Sequence, residues 1–359
     1  MARPVADYKA PNYWLGYRSG FVRRGLPGEV LRRLTAGRPT YRQMERMGVA
    51  LSRAAAVSIV PMAVDVALRA PGTLPRMVAT GLLMSSPLTC SLLLHDVGRY
   101  DAIGVLALAL LSTARSAWLR LPLPASAVLI AGAVSVAVAS EEFLLAALAP
   151  TVAAAVHLLS RHHDLSRNHE LQLLGGVLAP GVAVAGASLL TPVPANALST
   201  ARAEALRAGV RPAGPIGDAL AALNRGFVEN LAYFRLFGRT PIVLSSAVWA
   251  GFYFLTARVL KKLLSSGAGS WYSSLVTAHA LVGAALSAAG VDFRRWWGLA
   301  LVGLMSAVVL TDASSTGEPV ATAALGGALA LAVAGVLPRD LKVYPWGRVR
   351  DERALPLTG

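Results

Sequence analysis

The stretch that decides the fold is residues 122–159, PLPASAVLIAGAVSVAVASEEFLLAALAPTVAAAVHLL. Its only charged residues are Glu141 and Glu142, near the middle. An apolar block of this kind predicts membrane-spanning helices, each of which needs about 17–25 predominantly apolar residues. The stretch is long enough for two such helices, so the glutamate pair predicts the tip of a helical hairpin.

The rest of the chain has the same character. Of its 359 residues, 55% are hydrophobic and 15% charged, whereas a soluble domain carries about 25% charged residues. The apolar blocks are too extensive for one globular core, so lipid must solvate them. We expect an all-α integral membrane protein, a bundle of about ten transmembrane helices. The predicted spans are 47–68, 76–95, 101–118, 122–139, 142–159, 171–190, 241–260, 272–290, 296–311 and 318–337.

The span pattern also predicts the domain organisation. A long polar loop, 191–240, interrupts the transmembrane domain, and its segments 197–209 and 216–236 predict amphipathic helices at the interface or over the bundle mouth. The parts are a basic N-terminal segment with an Arg-rich motif (1–46), the transmembrane domain (47–337) and a polar C-terminal tail (338–359).

Four polar motifs interrupt the apolar pattern. With ten spans, each falls before the first span or after an even-numbered one, as does the loop 191–240, so all are expected on one face of the membrane. The motifs are YRSGFVRRGLPGE (17–29), HDVGRYD (95–101), SEE (140–142) and VDFRRWW (291–297).

Arginines and carboxylates gathered on one membrane face indicate a particular chemistry. Arginine binds phosphate bidentately, and more strongly where water is scarce, while a carboxylate can accept a proton from a sugar hydroxyl. We expect Asp96 as the first choice of general base, followed by Glu142 and Asp292. The expected phosphate-binding residues are Arg23, Arg24, Arg99, Arg294 and Arg295.

Each motif also has a purely structural interpretation. Arg294, Arg295, Trp296 and Trp297 are typical of interfacial anchors. Asp101 and Glu141 can cap helix N-termini, and Asp96 can pair locally with Arg99.

Two charged residues lie inside the first predicted span. Arg53 and Asp65 are too far apart along the helix to pair, and both are costly in lipid. We therefore expect both to face the bundle interior.

The four motifs together resemble those of a diffuse group of bacterial multi-spanning proteins linked to surface polysaccharide assembly, similar to polysaccharide polymerases and GT-C-type glycosyltransferases. The resemblance runs through residues 12–310. It implies a glycosyltransferase or polymerase of the bacterial cytoplasmic membrane, with a polyprenyl-phosphate-linked sugar as donor and a glycan or glycolipid as acceptor. The alternatives are a transporter or flippase of an anionic lipid-linked glycan, or a scaffold of an envelope complex.

This chain departs from the group in two ways. In the group, a transmembrane helix usually precedes the Arg-Arg-Gly-Leu stretch, but nothing apolar precedes Tyr17. The group usually has His-Glu where this chain has Glu141-Glu142, so Glu142 is the matching residue. The positive-inside rule places the motif face in the cytoplasm, whereas the resemblance implies that it is extracytoplasmic. We favour the extracytoplasmic side.

The expected partners are membrane lipids, the lipid-linked donor and the acceptor. The formal net charge is +15 at pH 7, but no nucleic-acid fold signature accompanies this positive charge. The histidines of 159–170 match no standard metal spacing, so we expect neither a metal nor a cofactor. The sequence does not indicate the oligomeric state.

Overall fold

A computed structural model describes residues 10–68, 99–210, 239–263, 270–289 and 293–311, together with Arg76, Leu83, Leu220 and Leu223. Every regular element bounded in this part of the chain is helical. Two short 3-10 helices, Ala10–Trp14 and Tyr17–Ser19, precede the α-helices. The α-helices are α1 (Gly25–Leu34), α2 (Tyr41–Leu68), α3 (Asp101–Thr113), α4 (Arg115–Trp118), α5 (Leu123–Ser140), α6 (Leu144–His162), α7 (Arg167–Leu190), α8 (Ala195–Arg207), α9 (Arg239–Leu263), α10 (Ser270–Ala289) and α11 (Phe293–Thr311).

Four of these helices are long and apolar enough to cross a membrane, namely α2, α5, α6 and α7. Helix α3 and the segment Arg295–Thr311 of α11 are shorter apolar helices. The described part is therefore an all-helical protein with the composition of a membrane bundle, as the sequence predicts. These four helices do not by themselves confirm the predicted number of ten spans.

The predicted spans agree with the helices wherever the structure describes them, with one exception. Segment 101–118 is not one continuous helix, because α3 ends at Thr113 and the short α4 follows. Side chains hold this break: Trp118 Nε1 donates to the Leu111 carbonyl at 2.9 Å, and Ser126 Oγ donates to the Trp118 carbonyl at 2.6 Å. Apart from Arg76 and Leu83, the spans 76–95 and 318–337 lie outside the described residues, as does the tail 338–359.

Helix α11 forms the centre of the bundle. It packs against α2, α3, α6, α9 and α10, and its residues from Arg295 to Leu310 are buried. Small residues allow the close approach: a Cβ on Gly303 would lie 2.7 Å from the His279 ring, and one on Gly283 would lie 2.8 Å from Trp297. Close packing through glycine is typical of helix interfaces in membranes.

A second, smaller apolar cluster covers one end of this bundle. It joins the N-terminal segment, including Tyr13 and Leu31, to α8 and to Tyr100, which precedes α3. The predicted amphipathic helix 197–209 is thus confirmed as α8, and it packs against Ala10–Trp14. We call this assembly of residues 10–34 and α8 the cap. Most of the second predicted helix, 216–236, lies outside the described residues.

The expectation for the charges of the first span was half right. Asp65 pairs with Arg115, whose Nη1 lies 2.6 Å from Asp65 Oδ2. Arg53, by contrast, is exposed on the outer side of α2. The expectation was wrong for Arg53 because a long arginine side chain can extend from the helix towards the interface instead of turning inward.

Candidate functional site

The candidate site lies beneath the cap, where the ends of several helices meet. Helices α1, α3, α6 and α11 begin there, and α5 ends there. The partial positive charge of each helix N-terminus points towards this region. Three carboxylates and four arginines from these ends come together here, and we call them the charge network. Its members are Arg23, Arg24, Arg99, Asp101, Glu141, Glu142 and Arg295.

Arg24 enters the network from the cap. It immediately precedes α1 and has a left-handed backbone with φ of 60°, which is uncommon for a residue with a side chain. Such a conformation persists only where the surroundings enforce it. Here the surroundings are the glutamates of the hairpin tip, which hold the guanidinium.

Both glutamates of the hairpin contact Arg24. Its Nε and Nη2 donate to the two oxygens of Glu142 at 3.1 and 2.9 Å, a bidentate arrangement that is among the stronger charged hydrogen bonds. The same Nη2 lies 2.7 Å from Glu141 Oε1. The Glu142 side chain is only 1% exposed. Arg24 therefore ties the cap to the tip of the α5–α6 hairpin.

Arg295 contributes the second cationic centre from the first turn of α11. Its Nε lies 2.5 Å from Asp101 Oδ2, and its Nη2 lies 3.1 Å from Glu141 Oε2. The guanidinium also lies 4.1 Å from the centre of the Trp296 ring, where a cation–π interaction adds to the attraction. Glu141 thus bridges two arginines that come from different parts of the chain.

Arg23 and Arg99 complete the group. Arg23 Nη2 donates to the backbone carbonyl of Leu223, which links the N-terminal segment to the long loop. The positive charge of Arg99 acts on Arg24 and opposes its protonation. Among the described residues the network therefore combines four arginines with three carboxylates.

The environment separates the two neighbouring glutamates. Burial favours a higher pKa for Glu142, but the charge of Arg24 and its hydrogen bonds prevail, so the pKa lies below the ordinary value. Burial raises the pKa of Glu141, although Arg24 and Arg295 act in the opposite direction. The pKa values of the two adjacent side chains are therefore shifted in opposite directions.

Polar atoms at the edge of the network point to a site rather than to a closed structural cluster. Tyr100 and Trp296 are each 3% exposed, yet neither the Tyr100 hydroxyl nor Trp296 Nε1 has a hydrogen-bond partner in the part of the chain that the structure describes. Buried polar groups in folded proteins are normally hydrogen-bonded. Two buried donors beside several guanidinium groups can together hold an anionic, oxygen-rich ligand.

The structure brings together five of the eight residues predicted from sequence, Arg23, Arg24, Arg99, Glu142 and Arg295. The backbone of Arg294 lies in the first turn of α11, next to Arg295, but its side chain is outside the part that the structure describes. Asp96 and Asp292, both predicted as catalytic, lie outside the described residues, and their roles stay predictions.

Asp101 and Glu141 belong to the network but were absent from the predicted site. Each lies inside or beside a motif that the sequence singled out, so membership of the motif was an available signal. The spacing does not show which of two adjacent glutamates faces an arginine. In the structure both do, because the chain turns between α5 and α6.

Two of the structural interpretations do not fit the geometry. Neither α3 nor α6 has a side-chain cap from Asp101 or Glu141, since the preceding residues Tyr100 and Phe143 are the N-caps and make no such bond. Trp296 and Trp297 are not exposed anchors, because both are buried. Trp296 packs edge-on against Phe143 at 5.9 Å, and Trp297 packs against Tyr253 at 5.4 Å.

The histidine-containing turn between α6 and α7 forms a separate polar group. His157 Nδ1 lies 3.2 Å from Glu170 Oε1, and Arg167 Nη1 lies 2.7 Å from the same oxygen. In the described ranges, no group of three or more His, Cys, Asp or Glu side chains is arranged to hold a metal ion. This turn lies at the opposite end of α6 from the charge network.

Comparison with protein-family models, with curated proteins and with solved structures finds no match for the chain in any of the three.

Proposed function

We propose that this chain is a membrane-embedded glycosyltransferase or polysaccharide polymerase that uses a polyprenyl-phosphate-linked sugar. The single observation that carries the proposal is the charge network, where arginines and carboxylates meet at one end of an apolar helical bundle. In the same proposal the protein spans the bacterial cytoplasmic membrane about ten times. The motif face, with the cap, is extracytoplasmic.

The arginines suit the phosphate or pyrophosphate of the donor. Guanidinium groups offer paired donors that match phosphate oxygens, and the N-termini of α3, α6 and α11 add favourable partial charge. Arg23, Arg24, Arg99, Arg294 and Arg295 are the proposed contacts of the phosphate or pyrophosphate. A polyprenyl tail would extend from this position into the lipid beside the bundle.

The carboxylates supply the proposed acid–base chemistry. Glu142 uses both oxygens to hold Arg24, so we assign it as a positioning residue. Glu141 also contacts two arginines, but its pKa is raised whereas that of Glu142 is lowered. A raised pKa suits proton acceptance near neutral pH. Asp96 and Asp292 remain candidates for the same role.

The proposed reaction is a direct displacement. The base takes the proton from an acceptor hydroxyl, and the hydroxyl oxygen forms a bond to the anomeric carbon of the donor sugar. The bond from that carbon to the phosphate oxygen breaks, and the polyprenyl phosphate or pyrophosphate leaves with the electron pair. The arginines stabilise the leaving group. The proposal involves neither a metal nor a cofactor.

A paired set of variants tests the assignment in a strain that lacks the native gene copy. Glu141→Gln is expected to reduce surface glycan about 10²–10⁴-fold, the range of general-base contributions. With purified protein and a radiolabelled polyprenyl-phosphate sugar, Glu142→Gln is expected to raise KM more than it lowers kcat, because it loosens Arg24. Glu170→Gln removes a carboxylate at the other end of the bundle and serves as the matched control.

Each result has a defined consequence. Thermal unfolding of each purified variant shows whether it is folded. Normal glycan in Glu141→Gln, Asp96→Asn and Asp292→Asn alike would contradict the catalytic proposal. Movement of the lipid-linked sugar across a reconstituted bilayer without bond formation would replace it with transport. If a variant no longer assembles with its partner proteins but still binds the donor, a scaffold role would replace the catalytic proposal.

A further inference from the structure

Three arginines form a line along the outer side of α2. At about 100° per residue, Arg42, Arg46 and Arg53 lie within about 40° of one another around the helix axis. All three are exposed. They extend over about 16 Å of the helix, at 1.5 Å per residue. We call them the arginine ladder.

The ladder runs from the cap into the apolar part of α2. Met44, in the first turn of the helix, belongs to the apolar cluster of the cap, whereas Asp65 lies near the other end. A hydrocarbon layer about 30 Å thick corresponds to about 20 helical residues, which places its boundary near Gly48 when the layer extends to Leu68. Arg53 then lies about 7 Å inside the layer, within reach of the interface for an extended arginine side chain.

Within the described ranges, no carboxylate forms an ion pair with these three arginines. Glu45 lies on the flank of the ladder, about 60° from Arg42 around the helix, and pairs with none of them. Because Arg53 extends to the interface and Arg42 and Arg46 lie beyond the layer boundary, all three guanidinium groups reach the headgroup region, where an anionic headgroup is a favourable partner.

An apolar surface continues the ladder towards the membrane centre. Val57, one turn beyond Arg53, is 68% exposed, and Pro61, one turn further, is also exposed. The surface therefore changes from cationic to apolar along the helix axis. An amphiphile with an anionic head and hydrocarbon chains has the same order of chemistry.

We propose that the arginine ladder binds an anionic phospholipid of the bilayer. The headgroup phosphate contacts Arg46 and Arg53, the acyl chains lie along Val57 and Pro61, and Arg42 contributes longer-range attraction at the membrane surface. This inference is independent of the proposed function, because the ladder lies on the outside of α2 and shares no residue with the charge network. It assigns Arg53 a role at the lipid-facing surface.

The test measures binding of phosphatidylglycerol to the purified full chain. The protein is placed in nanodiscs of phosphatidylcholine with increasing phosphatidylglycerol, and the lipid retained after detergent extraction is counted by native mass spectrometry. The triple variant R42Q/R46Q/R53Q is compared with R120Q/R161Q/R207Q, which removes the same charge from exposed positions elsewhere. Each basic residue near an anionic surface contributes roughly fivefold, so the ladder variant is expected to lose on the order of 100-fold in affinity and R53Q alone about fivefold.

The outcomes are distinct. Retention of phosphatidylglycerol by the control triple and its loss from the ladder triple support the proposal, with unchanged thermal unfolding of both variants showing that the fold is intact. Equal retention by both triples overturns it. Preferential displacement of phosphatidylglycerol by an equimolar amount of polyprenyl phosphate also overturns it, because the ladder would then be a donor site.

Discussion

The two ends of the bundle use the same residue types in different ways. Helix α3 runs from Asp101 in the charge network towards Arg115, which follows its C-terminal end, about 20 Å away. At the far end Arg115 pairs with Asp65 and also donates to the Val309 carbonyl near the end of α11, at 2.7 Å. This is a balanced pair that also satisfies a helix terminus.

The charge network has the opposite character. It collects several arginines and carboxylates from separate parts of the chain, and it has buried polar donors at its edge that lack a partner in the described part of the chain. A structural ion pair needs one partner and a satisfied backbone. A binding site also presents charged and hydrogen-bonding groups that a ligand can contact. The difference between these two ends is the reason for placing function beneath the cap.

The largest expected effect comes from Arg24→Gln. Removing this guanidinium leaves two buried carboxylates without one of their partners, and breaking a buried pair in this way costs about 3–5 kcal/mol. The measurement is the unfolding free energy in detergent by chemical denaturation. Arg24→Lys keeps the charge without the bidentate geometry. Its unfolding free energy should lie between those of Arg24→Gln and the native protein. An unchanged unfolding midpoint in Arg24→Gln would mean that the network does not hold the cap.

A smaller effect is expected at the other end. Asp65 and Arg115 are each about one-fifth exposed, so Arg115→Gln should cost about 1–2 kcal/mol, less than a fully buried pair. The double variant Asp65→Asn with Arg115→Gln should recover part of that loss. Glycan production should remain near normal once the variant is folded. A large loss of glycan in folded Arg115→Gln protein would show that the far end of the bundle also contributes to function.

The smallest expected effect separates the neighbouring glutamates by pH. The lowered pKa of Glu142 means that its stabilisation is present above the unfolded pKa of about 4.3 and is lost as pH falls through the folded value. The raised pKa of Glu141 acts in the opposite direction, because protonation at falling pH favours the folded state.

Thermal unfolding between about pH 3 and pH 6 measures this contrast. Glu142→Gln should show a shallower loss of stability with acid than the native protein, and Glu141→Gln a steeper one. Identical slopes in the two variants would show that the two carboxyls share one environment.

Much of the fold follows from sequence because lipid solvation imposes a simple rule. Apolar blocks such as 122–159 must form helices whose backbone groups are satisfied internally, and the glutamate pair is the only formally charged point in that block. The sequence also predicts that four charged groups share one end of the bundle, because adjacent helices alternate in direction. These groups are the N-terminal motif, Arg99, the hairpin tip and Arg295.

The roles within the site do not follow so directly. Glu141 and Glu142 are adjacent and chemically identical, and only the positions of Arg24 and Arg295 distinguish them. Trp296 and Trp297 have the composition of anchors, but central packing of α11 buries them. The break after Thr113 depends on side-chain contacts between separate segments, which periodicity does not contain.

The sequence by itself determined a membrane-type helical bundle with its charged motifs gathered at one end, because hydrophobic length and helix alternation are local properties of the chain. Only the tertiary structure decided that Glu141 bridges two arginines, that Arg24 joins the cap to the hairpin, and that Arg53 faces outward while Asp65 is paired. These are properties of the distance between groups far apart in sequence. Electrostatic energy depends on that distance and on burial, and packing sets both.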